Sequence, residues 1–431
     1  MSESLVLEKL SDVLGASMSP MPAGQSVLGS ALPYRLEPDS GEKLSEVMRV
    51  LSAFEESVLV TGGMTKLRGL NAVKETRFQL SCCGLSGIDE CDAADGVLLA
   101  RAGTPLRDLV KATEESGWVL PFDPPGDEGT VGGVLATGMC GPRRLGFGAV
   151  RDSVLGLETV LANGDRTRCG ARVVKNVTGY DMAKLYVGSF GTLAVIEGAW
   201  LRLKPKPNSV VQWSSSLNDS DDPHGLALAA SRRSSARSVA LLSEDLAREE
   251  PAFGEATRSN SSWRLLVEFS GDRAATRNDT DWLGQRTKSD SVGHEAIEAL
   301  GRVQGLDQKR GFRVRLHLLP SALPKACGLL RDAGFRVLAY PEPAVIYGFL
   351  DDREGRESEC LGFGFSALET VVEQTKATWV IESMPEASPF ARDKFEMASG
   401  VPLMNALKLR FDPQLILNRG CFFDSASMVN K

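Results

Sequence analysis

The chain has 431 residues, 49 Lys and Arg against 56 Asp and Glu, and a formal charge of -7 with histidine neutral. An acidic chain lacks the basic surface that phosphate neutralisation requires, which argues against a general nucleic-acid binder. With 42% hydrophobic and 24% charged residues it reads as a soluble globular protein, long enough to need two domains, with no apolar run approaching the roughly 20 residues that span a bilayer.

Met1 to Leu14 alternates charged and apolar residues and offers no basic stretch followed by an apolar core, so a secretory signal is not expected. The expected location is cytoplasmic, with any membrane association coming through a partner. The eight cysteines, Cys82, Cys83, Cys91, Cys140, Cys169, Cys327, Cys360 and Cys421, contain no CxxC pair. An iron–sulfur or structural zinc site within the chain is therefore not expected, and in a reducing compartment these are free thiols.

In chain order, Val58 to Val60 predicts a strand that breaks into Thr61-Gly62-Gly63-Met64-Thr65-Lys66, a glycine turn able to hold phosphate. Lys66 either touches that phosphate or faces solvent. Val97 to Ala100 predicts a second strand of the same small α/β unit. Thr104-Pro105 then predicts a helix start, with a capping hydroxyl and proline at the first helical position. Leu106, Leu109 and Val110 share one helical face, and Gly117 ends it.

The most glycine-rich segment, Thr130-Val131-Gly132-Gly133-Val134-Leu135-Ala136-Thr137-Gly138, reads as chain pressed against a ligand, because glycine lets main-chain N–H groups approach an anion or a flat ring. Val154 to Leu161 and Arg166 to Cys169 flank Asn163-Gly164, a hairpin signal that speaks against a doubly wound dinucleotide fold throughout. A strand over Gly191 to Leu203 stops at Lys204-Pro205-Lys206-Pro207, which marks a boundary.

Beyond Asn208, strand-like runs (Trp263 to Phe269, Arg313 to Leu318, Val345 to Leu350) alternate with helical ones (Ala322 to Ala333, Ser366 to Lys376), which predicts an antiparallel sheet covered by helices. Ser231 to Ser238, with Arg232, Arg233 and Arg237, reads as an exposed helix face or loop. Trp263, Trp282 and Trp379 read as core. At the end, a helix with cationic Lys408 and Arg410 is halted by Pro413, and Leu415 to Asn418 forms an apolar anchor.

Thr61 to Lys66, Thr130 to Gly141 and Gly188-Ser189-Phe190-Gly191-Thr192-Leu193 together resemble the FAD-binding domain of the vanillyl-alcohol oxidase / p-cresol methylhydroxylase (PCMH-type) superfamily, in order and spacing over roughly the first half of the chain. More narrowly, Phe122-Asp123-Pro124-Pro125, Gly141-Pro142-Arg143-Arg144, the run from Gly148 to Gly156, and Lys175 to Asp181 look like the FAD-binding E subunit of bacterial glycolate oxidase. The resemblance implies an α+β fold: a two-part FAD-binding domain over residues 1-207, an antiparallel-sheet cap domain over 208-400, and a C-terminal segment, 401-431, that returns to the FAD domain.

It also implies non-covalent FAD, with the pyrophosphate on the N–H groups of Gly62 to Thr65, the ring along Thr130 to Gly138, and Gly191 and Val195 near the adenine; Thr61, Lys66, Pro124, Gly132, Gly133, Thr137 and Gly148 complete the implied contacts. Three residues depart from the family pattern. Met64 stands at the third loop glycine and can keep its N–H inward if φ stays negative; Ala194 stands at a glycine and Arg419 at a proline. No histidine lies near either glycine loop, which argues against a histidyl–flavin bond and leaves Cys140 as the remote thioether candidate.

Related 2-hydroxy-acid dehydrogenases carry a histidine-rich metal motif; here His224, expected in a loop, His294, and His317, inside an apolar strand, sit in unrelated settings and no metal site is expected. Arg143 and Arg144 could bind a substrate carboxylate, or pair with acids of the chain or a partner. Tyr180, with Lys175, could approach the ring, or Tyr180-Asp181 could cap a helix running to Tyr186. Arg143 and Tyr180 are the catalytic candidates.

The reading that follows is the FAD-binding subunit of a glycolate oxidase-like complex acting on a small 2-hydroxy acid with a catalytic flavoprotein subunit and an iron–sulfur subunit. The alternatives are a self-sufficient FAD-dependent oxidoreductase of an alcohol or hydroxy acid, and an FAD-free scaffold.

Overall fold

The computed structural model describes residues 3–22, 26–28, 30–74, 76–126, 128–172, 181–254, 261–287, 289–293, 295–305, 311–350, 357–384 and 400–421. Near the N-terminus, Met18–Pro20, Tyr34–Leu36, Phe78–Ser81 and Val58–Thr61 form a four-stranded sheet in that order, the last three parallel. Helix Gly41–Ala53 starts where the Ser40 side chain accepts from Lys43 N. It places Leu44, Val47, Met48 and Leu51 on one face, against Val58, Phe78 and Leu80 of the sheet and Leu10 of helix Glu3–Leu14.

A second, five-stranded antiparallel sheet runs in the order Arg166–Gly170, Val154–Val160, Val195–Arg202, Val97–Arg101, Ile88–Asp92. The Asn-Gly hairpin joins its first two strands as expected, with Val160 opposite Arg166. Val97–Arg101 is also a strand, but it pairs with Val195–Arg202 and Ile88–Asp92, so it belongs to this sheet and not to a unit with Val58–Thr61. The helix after it spans Leu106–Glu115 with Pro105 itself at the cap. The Thr104 hydroxyl does not cap it: it bonds instead to Gly87 O (2.9 Å) and Arg101 O (2.8 Å), closing the preceding turn.

The third sheet has eight strands, all neighbours antiparallel: Ser289–Ser291, Ser209–Leu217, Trp263–Gly271, Ala236–Ser243, Arg336–Tyr340, Val345–Leu350, Phe312–His317 and Thr378–Ser383. Helices Pro223–Ser231, Arg273–Gly284, Leu323–Asp332 and Glu357–Thr375 share one hydrophobic cluster with it. Glu244–Ala247 and Ala296–Gln304 share another. Trp263 and Trp379 are core, and Trp282 packs at the edge of it.

Two local expectations for this part are overturned. His224 lies in the first turn of helix Pro223–Ser231, not in a loop, edge-on to the Trp263 ring at 5.0 Å. Ser231, Ser235 and Ser238 are buried while Arg232 and Ser234 stay exposed: buried Asp279 accepts from Ser235 N (2.9 Å), Ser235 Oγ (2.6 Å) and Arg233 Nε (2.8 Å), and Ser231 Oγ donates to Ala227 O (2.8 Å).

Helix Val401–Phe411 carries Lys408 and Arg410 in its last turn, and the chain then returns to the first sheet. Val58 N donates to Ile416 O (2.8 Å) and Asn418 N to Val58 O (2.9 Å), so Leu417 adds a parallel bridge beside Val58. The buried Lys408 ammonium fixes this return by donating to Asp412 Oδ2 (2.5 Å), Thr192 O (2.8 Å) and Leu417 O (2.8 Å). No helix among the described residues is long and apolar enough to cross a membrane.

Candidate cofactor cleft

Strand Val58–Thr61 ends at the glycine turn, and the turn faces the start of the glycine-rich segment. Thr61, Gly62, Gly63, Met64, Thr65 and Lys66 line one cleft with Thr130, Gly132, Gly133, Thr137 and Gly191, so sequence-distant candidates meet in space. The rest of the wall includes Ala136 of the glycine-rich segment and two residues not expected as contacts, Phe190 and Asn418. A second cavity of about 230 Å³ abuts it, sharing Asn418 and lined by Val187, Ser189, Thr192, Leu407 and Lys408.

The two glycine segments differ in what their N–H groups do. Thr130 caps a helix over Val131–Thr137, whose first turn is already satisfied: Val131 N donates to Thr104 O (3.0 Å), Gly132 N to Ala102 O (2.7 Å), and Gly133 N to Thr130 Oγ1 (3.3 Å). Its glycine at 132 answers packing, since a Cβ there would stand 2.8 Å from the Ala102 Cβ. The segment is thus a packed helix with one face on the cleft. By contrast, among the described residues the N–H groups of Gly62, Gly63, Met64 and Thr65 make no hydrogen bond within the chain. Four successive free donors at a cleft suit an anion.

Met64 departs from expectation: its φ is +58°, the left-handed conformation that glycine adopts freely, and not negative. Its sulfur accepts from Gln79 Nε2 at 3.3 Å, and the same amide nitrogen donates to Thr61 Oγ1 at 2.9 Å. Lys66 is buried at the cleft, with Nζ 3.4 Å from Thr65 Oγ1. Asn418 closes the far side: Oδ1 accepts from Val60 N (2.7 Å) and Nδ2 donates to Phe190 O (2.7 Å). Gly191 is required there, at φ +66° and with a hypothetical Cβ 2.8 Å from Asn418 Nδ2. Ala194 lines the same cleft, while Arg419 O accepts from Lys74 N (3.0 Å).

Five expected contacts do not line this cleft. Val131 and Val195 point into hydrophobic clusters. Gly138 ends the glycine-rich helix in the left-handed region, 3.3 Å from Gly188 Cα at its would-be Cβ, and Gly148 ends the short helix Arg144–Phe147. Pro124 lines a different groove, of about 1150 Å³, together with Asp123 and Arg143. In that groove the Asp123 carboxyl is pushed up to about 7 by burial, which outweighs its bond from Arg143 N (2.9 Å).

Of the two guanidinium candidates, Arg143 is spent on the chain itself. It grips Glu268 through Nε and Nη2 (2.8 Å each) and Glu298 at 2.6 Å, the acid-pairing alternative. Arg144 makes no ion pair among the described residues and borders a space of about 10 Å³ with Cys140, Tyr340 and Tyr347. Burial raises the Cys140 thiol, which disfavours the thiolate that a thioether would need. His317 closes a strand, where burial, Arg315 and Arg144 push it down to about 4. Tyr180, Lys175 and His294 lie outside the described residues, and helix Met182–Tyr186 has Asp181 at its cap position without a side-chain capping bond. Among the described residues no cluster of three metal-ligating side chains occurs.

Residues 33–170 match the sequence model of a family described as FAD binding domain, which supports FAD as the cofactor of this part of the chain. It is 43% identical over 125 residues to glycolate oxidase subunit GlcE of Escherichia coli, covering 28% of this chain and 36% of that one. It is 33% identical over 175 residues to glycolate oxidase subunit GlcD of Bacillus subtilis, covering 40% and 37%. The matched stretch thus spans about a third of each of those subunits. A longer match, 28% identical over 419 residues, covers 89% of this chain and 90% of a D-lactate dehydrogenase of Archaeoglobus fulgidus. Among solved structures, a 4-ethylphenol oxidase from Gulosibacter chungangensis superposes with a TM-score of 0.71 at 13% identity, covering 97% of each chain. An alkyldihydroxyacetonephosphate synthase does so with 0.68 at 14%, covering 97% of this chain and 86% of that one. These likenesses establish the fold: a PCMH-type FAD-binding half, an antiparallel-sheet half and a returning C-terminus.

Proposed function

We propose that the chain is an FAD-dependent oxidoreductase of the 2-hydroxy-acid dehydrogenase type that works as the FAD-binding subunit of a glycolate oxidase-like complex, beside a catalytic flavoprotein and an iron–sulfur partner. In this reading residues 1–207 bind FAD, 208–400 form the cap, and the C-terminal segment locks back onto the first. The observation that carries it is the run of four unpaired N–H groups, Gly62 to Thr65, at a cleft whose close walls admit no side chain at Gly62 or Gly191.

Those N–H groups would hold the pyrophosphate, with Lys66 supplying positive charge, while Thr137, Phe190 and Asn418 bound the remainder of the cofactor. FAD, when bound, supplies acceptance of electrons from the substrate or a partner. The chain's own residues orient it and keep water out: Asn418 ties the turn at Phe190 to the strand at Val60, and Thr130 holds the helix that forms the opposite wall. Partnership is supported by the sequence likeness to glycolate oxidase subunits, 43% identical over 125 residues and 33% over 175.

The test is anaerobic addition of glycolate, then D-lactate, to the purified yellow chain. The flavin bands stay oxidised on this reading; bleaching by the isolated chain would make it a self-sufficient enzyme.

A further inference from the structure

The cleft-lining helix Val131–Thr137 runs straight into the loop from Gly138 to Arg144, and one buried side chain of the third sheet's helical layer reaches this loop. Gln304 ends helix Ala296–Gln304 at 1% exposure. Its Nε2 donates to Cys140 O (2.9 Å) and to the Tyr347 hydroxyl (2.7 Å), and its Oε1 accepts from the Tyr340 hydroxyl (2.8 Å). Every polar atom of the carboxamide is engaged.

The network does not stop there. Arg313 donates to the Gln304 carbonyl and, through Nη1, to Gly305 O (2.7 Å). Arg313 and Arg315 share the Glu382 carboxylate at 2.7 and 2.9 Å. Gln304 is therefore held from behind by buried charged residues of the sheet, and only its bond to Cys140 O crosses to the loop beyond the cofactor cleft. A side chain so constrained transmits position, because a buried carboxamide with both its oxygen and its nitrogen bonded has one low-energy arrangement.

We infer that Gln304 is a positioning residue, which fixes the Gly138–Arg144 loop through the Cys140 carbonyl and thereby sets the wall of the FAD cleft from the cap side. The inference rests on the FAD reading of that cleft. The Tyr340 hydroxyl braces Gln304 and makes no hydrogen bond to the loop among the described residues, which gives the test its control.

The experiment compares the full chain with Gln304→Glu, Gln304→Met and Tyr340→Phe by titrating FAD-free protein with FAD, recording the bound-flavin spectrum, and melting the FAD-free protein. Gln304→Glu keeps acceptors for both tyrosines but has no N–H for Cys140 O; Gln304→Met keeps the length and loses every hydrogen bond. Both are expected to weaken FAD binding about tenfold, in line with losing roughly one net hydrogen bond, and to shift the visible bands. Tyr340→Phe is expected to lower the melting temperature while leaving affinity and bands as in the wild type. If the Gln304 variants melt early yet bind FAD with unchanged affinity and bands, the residue is structural only and the inference falls. A wild-type chain that binds no FAD would overturn the underlying reading as well, a result distinguishable from the first.

Discussion

Gly62 and Thr130 approach so closely that a Cβ on Gly62 would stand 2.2 Å from the Thr130 hydroxyl oxygen, the same oxygen that caps the cleft-lining helix. Gly62→Ala therefore displaces a hydroxyl that has work elsewhere. The expected cost is about 1–3 kcal/mol of stability, the range for overpacking, with weakened FAD binding. Adding Thr130→Ala removes the clashing atom, so the double variant should lose less than the sum of the two single changes; a thermodynamic cycle from denaturant titrations measures this.

Met64 makes the opposite prediction. A non-glycine residue at φ +58° carries a strain of about 1–2 kcal/mol, offset here by the Gln79 contact to its sulfur. Met64→Gly should raise stability by up to about 1 kcal/mol, since glycine gives back part of the gain as chain entropy, and should not weaken FAD binding. A lower denaturation midpoint would mean that the sulfur contact outweighs the strain.

Asn418 joins three segments that are far apart in sequence. Asn418→Ala removes both side-chain bonds and leaves a Cβ residue at φ +49°, for an expected loss of about 2–3 kcal/mol. Asn418→Asp keeps the acceptor for Val60 N and loses the donor to Phe190 O, and should fall between. Equal melting temperatures for the three proteins would contradict the bridging role.

Stability should respond to pH in two opposed ways. His317, pushed down to about 4 from 6.5 by burial and by Arg315 and Arg144, is neutral when folded while the unfolded residue still takes a proton. Its contribution is present above pH 6.5 and is lost as pH falls toward 4. Asp123 is pushed up to about 7 from 3.8 by burial, so its contribution is full below pH 3.8 and lost as pH rises through 7. His317→Gln should flatten the acid loss, and Asp123→Asn should flatten the loss toward neutrality. Urea titrations between pH 4 and 8 separate the two.

Much of the frame was legible because local chemistry wrote it. The strand at Val58, the Asn163-Gly164 hairpin, the strand at Val345 and the proline-stopped closing helix all rest on short-range signals, and all appear. What failed depended on distant partners. Glycine-rich Val131–Thr137 lines the cleft, but its helical form is not legible from its glycines, because Ala102 and Thr104 supply the carbonyls for its first turn. Val97–Arg101 groups by sequence with Val58–Thr61 in one α/β unit, but its pairing partners lie elsewhere because strand pairing is non-local. Ser235 reads as exposed with its neighbours, yet Asp279, some 45 residues on, gives it a buried acceptor. Within the cleft, the glycine loop was readable from its spacing, whereas Asn418 was recognised only as part of an anchor, since its side-chain partners Val60 and Phe190 are 358 and 228 residues away.

On the proposed function, FAD lies in the cleft between Gly62–Thr65 and Thr130, held without a covalent bond. The most direct measurement is titration of FAD-free wild-type and Gly62→Ala chains with FAD, followed by flavin fluorescence, with acid precipitation of the loaded protein afterwards. The wild type should quench the flavin saturably, Gly62→Ala much more weakly, and the loaded protein should release all flavin on precipitation. Equal binding by a folded Gly62→Ala variant, or flavin that stays with the precipitate, would contradict it.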